Sequence, residues 1–129
     1  MTNGQRIMAT AAGFEAATGL VLLVAPALLA RLLIGADVDG AAIVIANIAG
    51  LALLSLAIAC WPRFERADRG SWLALLVYNL VVALLLAEAR LSSTASGVLL
   101  WPAVLTHIVL TTLLALSFSW HVRGAKEST

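Results

Sequence analysis

The sequence predicts an all-α integral membrane protein in which one domain, residues 1–129, forms a bundle of four transmembrane helices. Of its residues, 62% are hydrophobic and only 12% are charged, and the mean hydropathy is +1.01. Soluble domains are about half apolar and about a quarter charged, so the composition excludes a soluble enzyme. The apolar residues form long runs that suit crossings of about 20 residues, and nowhere do they alternate as in a strand.

Proline and short polar segments divide these runs into helices. The first run, 7–34, is too long for one simple crossing, and Pro26 lacks the N–H that a continuous helix needs. This helix is therefore either kinked at Pro26 or ended near Ala25, and in the second case 26–34 lies along the membrane interface. The other three helices are predicted over 41–61, 71–90 and 98–122.

The basic residues predict the orientation. Six of the eight lysines and arginines fall on one side of the predicted membrane, and the exceptions are Arg31 and Arg90. By the positive-inside rule the side with six is cytoplasmic. Both termini are then cytoplasmic, in a multi-pass protein of a bacterial-type inner membrane. The tryptophans are predicted to be interfacial anchors at the two membrane edges: Trp61, Trp72, Trp101 and Trp120.

Small residues predict which helices pack tightly. The first helix carries Ala9, Gly13 and Ala17 at four-residue spacing, with further small residues nearby, and the second carries Ala42, Ala46 and Gly50. The further small residues of the first helix are Ala12, Ala16 and Gly19. This spacing lets helix backbones approach closely in a membrane, so these two helices are expected to form the tight pair. The third and fourth helices are richer in leucine and valine, and we expect them to be more loosely packed or to face lipid.

Four polar residues lie inside the predicted membrane, one on each helix: Glu15, Asn47, Asn79 and His107. At about 1.5 Å rise per residue, all four fall within about 7 Å of the membrane centre. Intramembrane polar groups are costly and mark functional sites, so we expect these four to line one ligand-binding site if they point inward. Tyr78 is turned about 100° from Asn79 on its helix, and we assign it to another face.

The chemistry of these residues allows several roles. Burial disfavours a charged carboxyl, so Glu15 is a candidate proton carrier, and His107 is a candidate acid, base or relay beside it. Structural alternatives remain open: a protonated glutamic acid held by Asn79, a core histidine, and asparagines that only link helices. With one cysteine, and with His121 about 21 Å from His107 along one helix, we expect no metal site and no cofactor.

Two resemblances bear on function. Gly13-Phe14-Glu15, Gly19-Leu20, Pro26 and Leu33-Ile34-Gly35, followed by Gly40, Ala49-Gly50 and Ala59-Cys60-Trp61, resemble the uncharacterised DoxX-like four-helix membrane proteins of bacteria. That resemblance covers about half the chain. It implies a fold more than an activity, and the roles proposed for that family concern redox accessory functions or small apolar ligands.

The position of Glu15, with Ala12 before it and Gly19 after it, is also similar to that of the glutamate in small multidrug resistance exporters. The rest departs from that family. The third predicted helix has neither Trp nor Gly between Leu73 and Leu86, no basic residue follows the glutamate within its helix, and the charge bias opposes antiparallel assembly.

Several functions follow as hypotheses. The first is a small membrane protein that binds an apolar ligand of the quinone or lipid class, or serves as an accessory subunit, through a polar cavity in mid-membrane. Alternatives are a proton-coupled exporter of hydrophobic cations using Glu15, and an intramembrane isomerase or oxidoreductase using Glu15 and His107. Expected partners are the lipid bilayer and either further copies of the chain or a larger membrane protein. Net charge of +1 does not suit nucleic acid.

Overall fold

The computed structural model describes the backbone of residues 1–62 and 69–126, with the side chains of 1–62 and 69–118. These residues form five α-helices and no strand: α1 (Asn3–Val24), α2 (Pro26–Leu33), α3 (Gly40–Ala59), α4 (Arg69–Leu91) and α5 (Leu100–Lys126). Four of the five are long and apolar enough to cross a membrane, and α2 is the exception. The all-α prediction is confirmed. Residues 63–68, with Arg63 and Arg66 of the basic residues counted above, and the side chains of Trp120 and His121 lie outside the described residues.

The first predicted helix ends before Pro26 and does not kink through it. Ala25 has φ −142° and ψ 57°, which closes α1 at Val24, and α2 begins at Pro26 itself. Proline suits a first helical position because its missing N–H has no partner there in any helix. At its start α1 gains a turn over the prediction, because Thr2 and Gln5 form a reciprocal capping box. Near the C-terminus, α5 continues past its predicted end at 122 to Lys126.

Helices α1 and α3 form an antiparallel pair that crosses at two glycines, and the predicted tight pairing is confirmed. A Cβ on Gly19 would lie 2.7 Å from the Gly50 carbonyl oxygen, and a Cβ on Gly50 would lie 2.7 Å from that of Gly19. On α3 the contact includes Gly50 of the predicted stripe, but on α1 it does not include Gly13, where a Cβ would meet nothing within 4 Å. The α1 backbone approaches α3 through Gly19, which is turned about 120° from Gly13 around the helix.

Helices α4 and α5 form a second antiparallel pair. They contact each other almost as extensively as α1 and α3 do, which corrects the expectation of loose packing. Leu75, Val104 and Leu114 are almost fully buried, so branched side chains fill this interface where small residues fill the other. Trp72 is also buried, at 6% exposure, and packs against Phe118. It belongs to the core and is not an interfacial anchor.

The two pairs meet along a seam, which we define as the interface of α1 with α4 and α5. The seam contacts are less extensive than those within either pair. At the end where α1 begins, Met8, Cys60 and Trp72 belong to one buried cluster that draws on both pairs. At the opposite end, the loop between α4 and α5 donates backbone hydrogen bonds from Ser96 to Ile34 (2.8 Å) and from Leu99 to Leu32 (2.9 Å).

Gly97, in the loop between α4 and α5, lies against the backbone at the end of α2, and we expect Gly97→Ala to destabilise the fold. A Cβ there would overlap the carbonyl oxygen of Leu32 and the carbonyl group of Leu33. Because backbone cannot move aside as a flexible side chain can, the free energy of unfolding should fall by about 1–3 kcal/mol. Denaturant titration in detergent measures it. Gly13→Ala is the control, since it has free space and should not destabilise; equal losses in both variants would contradict this packing.

Candidate functional site

Three of the four predicted polar residues come together in the middle of the seam. Glu15 on α1 and Asn79 on α4 have 0% exposure, and His107 on α5 has 6%. His107 Nδ1 and Asn79 Oδ1 are joined by a hydrogen bond of 2.8 Å. Each residue comes from a different helix, so the cluster exists only when both helix pairs are assembled.

Helical hydrogen bonds hold the asparagine and the histidine in place. Asn79 Nδ2 donates to the Leu75 carbonyl oxygen one turn earlier, at 2.9 Å. Thr111 Oγ1 donates to the carbonyl oxygen of His107, at 2.7 Å. With its nitrogen bound to its own helix and its oxygen bound to α5, the Asn79 amide has one orientation that satisfies both contacts.

Aromatic rings enclose the imidazole from two sides. The ring of Phe14 is T-shaped to His107 at a centroid distance of 5.6 Å, and the ring of Tyr78 is T-shaped at 6.2 Å. The assignment of Tyr78 to another face is therefore wrong. A site where three helices meet takes residues from a wider arc of each helix than a two-helix contact does, so neighbouring residues of α4 both reach it. Tyr78 is the one tyrosine of the chain, and this was the sequence feature that could have identified it as a site residue.

The carboxyl of Glu15 is the unsatisfied group of the cluster. Both carboxylate oxygens are buried and neither has a hydrogen-bond partner among the described residues. The side chains of Tyr78 and Asn79 lie within hydrogen-bonding reach of the carboxyl, but neither meets the distance and angle of a formed hydrogen bond. Leaving a buried polar group unpaired costs about 1–3 kcal/mol, and more if it is charged. A proton on Glu15 removes the charge but leaves the acid without a partner.

Asn47 is not brought into this cluster. It lies on α3, which packs mainly on α1 and α2. Because α1 and α3 are antiparallel, Asn47 and Glu15 fall on opposite sides of the Gly19–Gly50 contact, about 10 Å apart along the bundle. Its Oδ1 is buried and without a partner in the described part of the chain. The expectation that all four polar residues share one site is corrected to three, joined by Tyr78.

An apolar cleft of about 270 Å³ lies elsewhere, between α1 and α3. Its walls are side chains of five residues, none from the polar cluster: Ala16, Leu54, Ala57, Ile58 and Trp61. Across the described residues, no group of three or more His, Cys, Asp or Glu side chains is placed to hold a metal ion. The chemistry of the site therefore rests on one carboxyl, one imidazole, one amide and one phenol.

These four side chains can form hydrogen bonds to a polar group that enters the seam, and the carboxyl and imidazole can pass a proton. The surroundings are apolar, with Ala11, Ala12 and Leu75 at 0% exposure, so each hydrogen bond made there is stronger than in water. Comparison of the chain with protein-family models, with curated proteins and with solved structures finds no match.

Proposed function

We propose that the chain is a multi-pass protein of a bacterial-type inner membrane, with both termini in the cytoplasm. Four helices of sufficient length and hydropathy support the membrane location. The excess of basic residues on one side of the predicted membrane, six against two, supports the orientation. In this frame the seam cluster lies near the middle of the bilayer.

Within that frame, we propose that the seam binds the polar end of a small apolar molecule of the quinone or lipid class. The observation that carries this proposal is the Glu15 carboxyl, whose two oxygens are fully buried and unpartnered. Asn79 uses its amide oxygen for His107 and one amide hydrogen for Leu75, which leaves its second amide hydrogen as a donor close to Glu15. That hydrogen bond is not formed with either carboxylate oxygen, and we propose that the partner of Glu15 comes from outside the chain.

The position of the cluster also favours a ligand. It lies in the seam, where α1 contacts α4 and α5 less extensively than the helices contact each other within either pair. Within the pair of α1 and α3, the backbones pack closely at Gly19 and Gly50. A small separation of the pairs would open the seam to the bilayer without unfolding either pair. An apolar molecule dissolved in the membrane would then enter sideways, with its tail remaining among apolar side chains.

Acid–base catalysis is the second candidate function, and the His107–Asn79 bond favours it. An imidazole that is oriented by a hydrogen bond to one ring nitrogen keeps the other nitrogen available for proton transfer, as in enzymes that use a histidine as general acid or base. Glu15 and His107 would then act as an acid–base pair in an isomerase or oxidoreductase. An accessory role and proton-coupled export by Glu15 remain predictions that draw on the same carboxyl.

Lipid analysis of the purified protein tests the binding proposal. Wild type, Glu15→Leu and Asn47→Leu would be purified in mild detergent, and their extractable molecules quantified by mass spectrometry per mole of protein. We expect one apolar species, enriched over the bulk membrane, in wild type and Asn47→Leu. In Glu15→Leu its amount should fall about tenfold, which corresponds to about 1.4 kcal/mol. Identical profiles in all three proteins would contradict ligand binding at Glu15.

A further inference from the structure

The hydrogen bonds of Asn79 determine which imidazole nitrogen of His107 carries a proton. The Leu75 carbonyl oxygen can only accept, so the group that faces it at 2.9 Å is the amide nitrogen of Asn79. The amide oxygen then faces His107 Nδ1 at 2.8 Å. Because that oxygen can also only accept, Nδ1 must carry the hydrogen. The opposite amide orientation would place two acceptors against each other on the Leu75 side.

The other imidazole nitrogen is then an acceptor. A buried imidazole with no acid bonded to it is favoured in its neutral form, and a neutral ring protonated on Nδ1 has a bare lone pair on Nε2. No residue in the described ranges donates a hydrogen bond to Nε2; the recorded side-chain bond of His107 is the one at Nδ1. Asn79 thus acts as a positioning residue that keeps Nε2 free to accept.

The seam has open acceptors as well as open donors. Nε2 of His107 accepts, and the Glu15 carboxyl has at least one accepting oxygen whether or not it holds a proton. The donors left over are the second N–H of the Asn79 amide, the Tyr78 hydroxyl and, when present, the Glu15 proton. A ligand that can only accept, such as a ketone, ester or ether, would leave Nε2 without a partner.

We infer that the polar end of the ligand is a hydroxyl group, carried by an apolar alcohol or phenol, the reduced quinone class included. This inference rests on the proposed function and names the chemical class that the same site takes. The hydroxyl hydrogen is donated to the accepting side of the cluster, and the hydroxyl oxygen accepts from Tyr78 or from protonated Glu15. A single hydroxyl group thereby pairs with both an unpaired acceptor and an unpaired donor of the cluster.

A matched pair of ligands tests this inference. Binding of 4-nonylphenol and of its methyl ether, 4-nonylanisole, to the purified protein would be measured by titration in detergent. We expect wild type to bind the phenol at least about tenfold more tightly than the ether, because the ether has no hydrogen to donate to Nε2 or to the Glu15 carboxyl. The preference should persist in Asn47→Leu and shrink in both Glu15→Leu and Asn79→Leu.

The outcomes separate this inference from the proposed function. Equal affinity of wild type for phenol and ether, or no binding of either, overturns the hydroxyl inference and leaves the co-purification result to decide whether the seam binds a ligand. Phenol binding that Glu15→Leu does not change overturns the proposed site as well.

The protonation of His107 can be read without any ligand. His121→Gln leaves His107 as the one histidine of the chain, and nitrogen-15 NMR of that variant reports which ring nitrogen carries hydrogen. We expect hydrogen on Nδ1 and a bare Nε2, with the population shifting toward a mixture when Asn79→Leu is added. A ring protonated on Nε2 alone would overturn the inference, whatever the ligand titrations show.

Discussion

Replacing Glu15 with leucine should make the protein more stable while removing its ligand. The buried carboxyl has no hydrogen-bond partner among the described residues, so the fold carries an unpaired polar group that costs about 1–3 kcal/mol. Leucine is close to glutamate in size and suits the surrounding alanines and leucine, which are themselves fully buried. In ligand-free detergent solution, the free energy of unfolding of Glu15→Leu should therefore rise by about 1–3 kcal/mol.

Asn79→Leu is the matched control, because it makes the same kind of change on a residue whose amide nitrogen and oxygen each have a hydrogen-bond partner. It removes the amide that bonds both Leu75 and His107 and leaves Nδ1 of the imidazole buried without an acceptor. Its free energy of unfolding should fall by about 1–3 kcal/mol. Denaturant titration in one detergent measures both variants. A loss of stability in Glu15→Leu would show that the carboxyl stabilises the fold, against this account.

Gly19→Leu should strongly disturb the packing of α1 against α3. Even a Cβ at Gly19 would lie 2.7 Å from the Gly50 carbonyl oxygen and 3.1 Å from Cβ of Leu53, so a leucine side chain has to push α1 and α3 apart. Overpacking an interface costs about 1–3 kcal/mol and sometimes more. Because the neighbouring group here is backbone, we expect Gly19→Leu to lower the free energy of unfolding by about 3 kcal/mol.

Gly13→Leu is the control for that substitution. It adds the same side chain six residues away on the same helix, where a Cβ would meet nothing within 4 Å. Its free energy of unfolding should stay within about 0.5 kcal/mol of wild type, as for surface substitutions. If the two variants lose equal stability, the glycine crossing is not what holds α1 against α3.

Much of the fold could be predicted because membrane helices have simple requirements. Length and hydropathy identify each crossing, and Pro26 marks the place where the first helix either kinks or ends, because proline has no N–H for the backbone hydrogen bond. Three of the four residues that form the cluster were also predictable. A glutamate, an asparagine and a histidine in apolar helices stand out wherever they fall, since hydrocarbon offers them no partners.

Helix rotation was the part that the sequence alone could not predict. Gly13 and Gly19 both belong to small-residue spacings on α1, and only the assembled pair shows that Gly19 makes the contact. Trp72 has the position of an interfacial anchor but turns into the core. Tyr78 enters the site and Asn47 stays out of it for the same reason, because which arc of a helix faces a neighbour depends on how all the helices pack.

We propose that a specific apolar molecule occupies the seam beside Glu15. Phe14 is the best reporter of that occupancy, because its ring packs edge-on against His107 at 5.6 Å. A photoreactive benzoylphenylalanine at position 14 would be activated in intact membranes, and the attached molecule identified by mass spectrometry. The same group at Leu20, which is 52% exposed on the same helix, samples the surrounding lipid. We expect position 14 to capture one hydroxyl-bearing species that position 20 does not enrich; capture of the same bulk phospholipids at both positions, or of nothing at position 14, would contradict the account.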